Sequence, residues 1–283
     1  MRKTVAEIRA MKAAGTKITM LTAYDAALAG IIASCGIDIL LVGDSLGMVV
    51  LGHESTIPVT VDDIIHHARA VRRGAPQGFV LGDMPFGSYQ TGPRDAVING
   101  VRLLKEADCD AVKLEGGLTM CPVVRSLSEA GVPVMAHIGL TPQTASQLGG
   151  YKVQGRGLAE AGRLLAEARA LEEAGAFALL LECVPDTLAE VITAAIAIPT
   201  IGIGAGVHCD GQVLVTQDLL GMFERFTPRF VKRYAELAPQ IRAGIEQYHQ
   251  EVNNGAYPGP EHSFTSDCDY RRLLDDDPVH SPR

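Results

Sequence analysis

Lys113 and Glu115 stand two residues apart in Asp110–Gly117, DAVKLEGG. In a strand of period two, Ala111, Lys113 and Glu115 share one face while Val112 and Leu114 take the other. A parallel strand covered on both sides is nearly all apolar, so an ammonium and a carboxylate on one of its faces need a reason. Two reasons stay open: a buried structural ion pair, or a site built to handle charged ligands.

Other candidate strands end in the same way. Gly43-Asp44-Ser45 closes the second, Gly82-Asp83 the third, His137 the fifth and Glu182 the sixth. Each is weak evidence alone, since an Asp after a strand is often a cap or turn former and a lone histidine is more often a core residue. Together, Asp44, Asp83 and Glu115 make a hard oxygen donor set that suits Mg²⁺ with retained waters and does not suit zinc. Lys113 beside them would attract a substrate carboxylate.

Eight β-like runs supply the positions: Ile18–Ala23, Asp38–Gly43, Phe79–Gly82, Asp110–Leu114, Val132–His137, Phe177–Leu181, Thr200–Ile203 and Gln212–Thr216. Helical patterns separate them. These fall near Asp25–Ser34, after Thr60 with Asp63 as its capping partner, at Pro93–Ala107, Thr119–Ala130, Leu158–Ala174 and Asp186–Ala195. The helix after Ile203 is missing or very short, and Arg229–Glu251 reads as a final long helix. MRKTVAEIRAMKAAG reads as a short amphipathic helix and not as a secretory signal.

Such alternation with right-handed crossovers gives a doubly wound sheet or a (β/α)8 barrel, and the count of eight favours the barrel. Ala23-Tyr24-Asp25 stands where a dinucleotide fold would place its glycine-rich turn. The expected architecture is a single-domain (β/α)8 TIM barrel with an N-terminal helix, spanning residues 1–264. In it, five polar strand ends converge on the C-terminal mouth, where barrel active sites are built. Residues 265–283, with Asp275-Asp276-Asp277 and two prolines, read as a disordered tail.

Composition narrows the partners. A formal charge of -8 without a long basic stretch argues against nucleic acid. The apolar run Val191–Val207 is broken by Pro199 and glycines and falls short of the ~20 residues a span needs, so no membrane segment is expected. Six cysteines, at 35, 109, 121, 183, 209 and 268, contain no CxxC pair and read as reduced core residues of a cytoplasmic protein.

Three loop features complete the reading. Residues 149–156, GGYKVQGR, suit a lid after strand five or a surface or subunit-contact loop. Ile201–Gly206 reads better as a tight turn bordering the pocket than as a phosphate cradle. His66 and His67 are adjacent, so they point to different sides of a helix and do not share a metal.

The segments LLVGDSLGMVVLGHESTIPVTVDD, LGDMPFGSYQ, DAVKLEGG, PVMAHIGLTPQ, GGYKVQGR and PTIGIGAGVHCDGQVLVTQDLLG occur in this order. In this combination the chain resembles the ketopantoate hydroxymethyltransferase family, from about Val5 to Phe264. The resemblance implies a (β/α)8 barrel that transfers a hydroxymethyl group from 5,10-methylenetetrahydrofolate to 3-methyl-2-oxobutanoate in pantothenate synthesis. It implies Asp44, Asp83 and Glu115 as the Mg²⁺ site, and Asp44, Ser45, Asp83 and Lys113 as the keto-acid site. Glu182 corresponds to the proton acceptor. His137 keeps two readings, a hydrogen-bond partner in the substrate site or a structural residue. The resemblance also implies a homo-oligomer, a decamer.

The chemistry accounts for these residue types. Desolvation at the end of FALLLE would make Glu182 a stronger base, and Mg²⁺ would stabilise an enolate as a Lewis acid. Two other classes remain: a metal-dependent barrel enzyme acting on 2-oxo acids without folate, and a non-catalytic binding or assembly module.

Overall fold

Short runs rich in Ile, Leu, Val and Ala, apolar on both faces, have to be covered on both sides. In the computed structural model, which describes residues 2–147 and 149–275, they form eight strands: β1 Ile18–Thr22, β2 Ile39–Val42, β3 Phe79–Asp83, β4 Ala111–Glu115, β5 Val134–Gly139, β6 Ala178–Glu182, β7 Thr200–Ile203 and β8 Gly211–Leu214. Each pairs in parallel with the next, and β8 returns to β1, so the sheet closes into a barrel. The expected (β/α)8 fold is the observed one.

Two apolar layers follow from the alternation. Ile18, Met20, Ile39, Leu41, Phe79, Leu81, Ala111, Met135, Leu180, Ile201 and Val213 fill the barrel interior, and Ile8 joins them from the N-terminal helix α1, Val5–Ala13. Val80, Val112, Leu114, Ala136 and Leu179 face outward into a second layer beneath the surrounding helices. These helices are α2 Ala26–Ser34, α4 Val61–Gly74, α5 Pro93–Ala107, α6 Cys121–Glu129, α7 Leu158–Glu173 and α8 Asp186–Ala195, with a one-turn α3, Leu46–Val49, after β2.

Local chemistry sets where helices begin. Thr4 and Glu7 form a capping box at α1, and Thr60 and Asp63 form the expected one at α4, with Asp63 N donating to Thr60 Oγ1 and Thr60 N to Asp63 Oδ2. Pro93 starts α5 from its first turn. Residues 204–210 join β7 to β8 without a helix, and only a one-turn α9, Thr216–Leu219, follows β8.

The final helix differs from expectation. α10 runs Leu237–Asn254 and does not begin at Arg229. Pro239 explains this: it is tolerated in a first turn, but extending the helix backwards would set its ring against the carbonyl of residue 235. Cys35 and Cys268 are exposed, at the end of α2 and in the C-terminal segment, whereas Cys109 and Cys209 are core residues as expected.

The chain separates into two compact units, Met1–Ala235 and Glu236–Arg283. The first contains the whole barrel. The second carries α10, a 3₁₀ turn at Pro260–His262 and α11, Arg272–Asp275. Part of the segment expected to be a disordered tail is therefore helical, while Asp276 and Asp277 lie outside the described residues.

Candidate active site

The strand registers decide which side chains meet. Asp83 lies beside Lys113 across β3 and β4, Glu115 beside His137 across β4 and β5, and Gly139 beside Glu182 across β5 and β6. Because these positions continue the inward rows of the interior core, the polar groups cap that core at the C-terminal mouth.

The contacts form one chain. Lys113 Nζ donates to Asp83 Oδ1 at 2.8 Å and Oδ2 at 2.9 Å, and lies 3.6 Å from Glu115 Oε1. His137 Nδ1 stands 3.4 Å from the same Glu115 oxygen, and its Nε2 stands 3.5 Å from Glu182 Oε2. Neither ring nitrogen makes a hydrogen bond of good geometry, although the residue is 1% exposed. Asp44 enters from the turn after β2, where its backbone N–H donates to Asp83 Oδ2 at 3.1 Å.

Sequence reasoning named six of these residues, and the structure brings Asp44, Asp83, Lys113, Glu115, His137 and Glu182 together. Ser45 sits next to the cluster, but its hydroxyl pairs with Tyr24 OH at 2.8 Å. Gln143 and Tyr89 had no assigned role. Gln143, in the 3₁₀ turn Pro142–Thr144 after β5, donates from Nε2 to Asp44 Oδ2 at 2.9 Å and from its backbone N to Glu115 Oε2 at 3.0 Å. Tyr89 OH donates to Gln143 Oε1 at 2.6 Å and accepts from Glu115 N at 3.1 Å. The available signal was two uncharged polar residues in loops, Tyr89 after a strand that ends in Asp83 and Gln143 after the strand that carries His137.

Burial shapes the electrostatics. Asp44, Asp83, Lys113 and Glu115 are 5%, 1%, 4% and 5% exposed. Burial, then Asp83 and Glu115, hold the Asp44 carboxyl well above the usual range. Burial also raises Asp83, against the pull of Lys113. For Glu115 burial is outweighed by Lys113 and His137, so its carboxyl stays below the ordinary value. Lys113 pays the desolvation penalty yet is held protonated by Asp83, Glu115 and Asp44. Glu182, with a 15% exposed side chain, is pushed up to about 8 by burial and by Glu115.

This donor set fits a divalent cation. Fully ionised, three buried carboxylates face one ammonium and leave two negative charges in excess, which a divalent ion would balance. Among the described residues, no group of three or more His, Cys, Asp or Glu is placed so that it could hold a metal ion. An ion here would therefore keep waters or take oxygens from a substrate, as Mg²⁺ commonly does.

The surrounding backbone is tightly specified. Gly139 has φ +98°, and a Cβ there would lie 2.3 Å from the Glu182 carbonyl oxygen. Cys183, next to Glu182, adopts φ +49° and accepts a hydrogen bond from Gln154 N at 2.8 Å. The loop 149–156 thus passes the Glu182 side of the mouth, and Tyr151 in it is raised by burial, then by Glu182, Asp44 and Glu115. His66 is exposed while His67 Nδ1 meets the Tyr24 carbonyl at 2.6 Å, so the two serve different surroundings.

A family profile described as ketopantoate hydroxymethyltransferase matches residues 2–260. The chain belongs to the ketopantoate hydroxymethyltransferase family. It is 65% identical over 277 residues to the 3-methyl-2-oxobutanoate hydroxymethyltransferase of Desulfotalea psychrophila, covering 98% of this chain and 99% of that one. The protein of the same name from Heliobacterium modesticaldum is 56% identical, with 95% and 98% covered. This hydroxymethyltransferase also shares its fold with solved barrels of low identity. One is a 2,3-dimethylmalate lyase of the PEP mutase/isocitrate lyase superfamily, at TM-score 0.58 and 16% identity, with 97% and 94% covered. Another is the phosphoenolpyruvate phosphomutase of Streptomyces platensis subsp. rosaceus, at TM-score 0.60 and 14% identity, with 96% and 94% covered. No helix among the described residues is long and apolar enough to cross a membrane.

Proposed function

We propose that the chain transfers a hydroxymethyl group from 5,10-methylenetetrahydrofolate to 3-methyl-2-oxobutanoate, giving 2-dehydropantoate and tetrahydrofolate in pantothenate synthesis. The observation that carries this reading is the buried Lys113–Asp83 pair inside an acid cluster, with Glu182 facing it across His137. An acidic 2-oxo substrate needs a fixed cation for its carboxylate and a base near its C3 hydrogen, and the cluster offers both.

Lys113 has three N–H donors, two of which reach Asp83. The third serves the substrate carboxylate, and the Ser45 hydroxyl is close enough in sequence to Asp44 to assist. Asp44, Asp83 and Glu115 would hold Mg²⁺, which supplies Lewis-acid polarisation of the 2-oxo group. Glu182 takes the C3 proton, for which its raised affinity for protons suits it. The electron pair released at C3 forms the new bond to the methylene carbon of the folate. Both C–N bonds of the methylene bridge break and each nitrogen leaves with its electron pair; one water supplies the hydroxyl group, and its remaining proton, with the one taken up by Glu182, goes to the two nitrogens of the departing tetrahydrofolate. His137, between Glu115 and Glu182, keeps these two carboxylates apart and offers a ring N–H to the substrate side. The reading has residues 1–264 as the catalytic portion of a cytoplasmic homo-oligomer, the decamer that the family resemblance implies.

The test supplies 3-methyl-2-oxobutanoate, Mg²⁺ and methylenetetrahydrofolate labelled with ¹³C at the methylene carbon, followed by NMR. Label in the hydroxymethyl carbon of 2-dehydropantoate is expected. Turnover of the keto acid that needs no folate would replace this reading with a folate-free barrel enzyme.

A further inference from the structure

We propose that Gln143 is a positioning residue for the cation site: it sets which oxygens of Asp44 and Glu115 remain available to a divalent ion. The inference builds on the metal assignment above and adds to it a residue that neither contacts the reacting atoms nor carries a charge.

Asp44 and Glu115 come from different elements, the turn after β2 and the tip of β4. Nothing covalent keeps them in register. Gln143, from a third element, bonds to both, through its side-chain amide to Asp44 Oδ2 at 2.9 Å and through its backbone N–H to Glu115 Oε2 at 3.0 Å. One oxygen of each carboxylate is thereby committed, leaving Asp44 Oδ1 and Glu115 Oε1 for the ion, the latter on the side of Lys113 and His137.

The orientation of the amide is determined by its partners. Its Nε2 also donates to the Met84 carbonyl at 3.0 Å, while its Oε1 accepts from Tyr89 OH at 2.6 Å and from Gln90 Nε2 at 3.3 Å. Rotating the amide by half a turn would set its oxygen against the Asp44 carboxylate and the Met84 carbonyl, with no proton between them. Tyr89 adds a second tie, because the hydroxyl that donates to Gln143 accepts from the Glu115 backbone N–H. The position requires a donor at one end and an acceptor at the other. Asn is a carbon too short, and Glu would bring one more negative charge against Asp44. Outer groups of this kind commonly change metal affinity by about 10–100-fold.

The experiment titrates Mg²⁺, and Mn²⁺ as a second probe, into the full-length protein by calorimetry without substrate, then measures KM and kcat separately. Gln143→Leu is expected to weaken cation binding at least about tenfold, with saturating Mg²⁺ recovering part of kcat. Tyr89→Phe, which removes one hydroxyl and preserves the ring's packing, is expected to shift affinity the same way but less. Thr144→Ala, next in the same turn and bonded to Thr141, should leave affinity unchanged. Gln143→Leu binding the ion as tightly as wild type, or Thr144→Ala weakening it equally, would overturn the proposal and leave the metal assignment standing. Absence of cation binding by the wild-type protein would overturn both.

Discussion

Replacing Lys113 with Met keeps an unbranched side chain, one atom shorter, and removes its charge from a site where the partners are almost wholly buried. At 2.8 Å from Asp83 Oδ1, with an effective dielectric of about 20, the lost attraction is about 6 kcal/mol before the ammonium's own desolvation is set against it. Breaking a buried pair by removing one partner typically destabilises by about 3–5 kcal/mol, and that range is expected here. The deficit depends on pH. Without Lys113 the folded-state pKa of Asp83 rises further above its unfolded value, so the stability linked to its bound proton is fully present below the unfolded pKa and disappears as pH rises through the folded one. Lys113→Met should therefore lose more stability at about pH 8 than in mild acid, by up to about 1.4 kcal/mol per pH unit. Urea midpoints at the two pH values measure it. Lys113→Met/Asp83→Leu should recover much of the loss, since paired buried charges can be exchanged for apolar groups at little net change. An equal deficit at both pH values, with no recovery in the double variant, would refute the reasoning.

Three further outcomes are expected. Glu182 must be ionised to act as a base, so kcat/KM should rise with pH through a midpoint between the usual carboxylate value of about 4.3 and the value of about 8 that burial and Glu115 impose; a pH–rate profile with an acid limb at the ordinary value would contradict the assignment. Gly139→Ala should lower stability by about 1–3 kcal/mol, and activity with it, because the new Cβ would meet the Glu182 carbonyl; calorimetric melting beside an activity assay checks it, and an unchanged melting temperature would remove the constraint. Thr60→Ala breaks the α4 capping box between Thr60 and Asp63 and should cost about 1 kcal/mol, or about 2–4 °C in Tm, with kcat/KM unchanged; a loss of activity without a shift in Tm would contradict that expectation.

The site was legible where charge interrupts apolar periodicity. Lys113 and Glu115 stand out because a buried parallel strand is otherwise nearly all apolar, and Asp83, His137 and Glu182 follow from the same end-of-strand rule. Gln143 and Tyr89 escaped it. They are uncharged residues in loops, and their importance comes from bonds to Asp44 and Glu115 that exist only once the barrel closes. Helix starts were legible where side chains cap them, as at Thr60 and Pro93. The beginning of α10 is marked by Pro239, whose place in a first turn outweighs the helical pattern that runs back to Arg229. Spacing could not reveal the left-handed turn at Cys183, a conformation that side chains other than glycine seldom adopt.

The central claim is that Glu182 removes the C3 proton of a 2-oxo acid held by Lys113 and the acid cluster. It is tested most directly by following the C3–H signal of 3-methyl-2-oxobutanoate by proton NMR in D₂O with Mg²⁺ and without folate, for wild type and Glu182→Gln. Wild type should exchange this proton, and Glu182→Gln should slow the exchange by about 10²-fold or more while melting normally. Exchange at the wild-type rate in the folded variant would contradict the account.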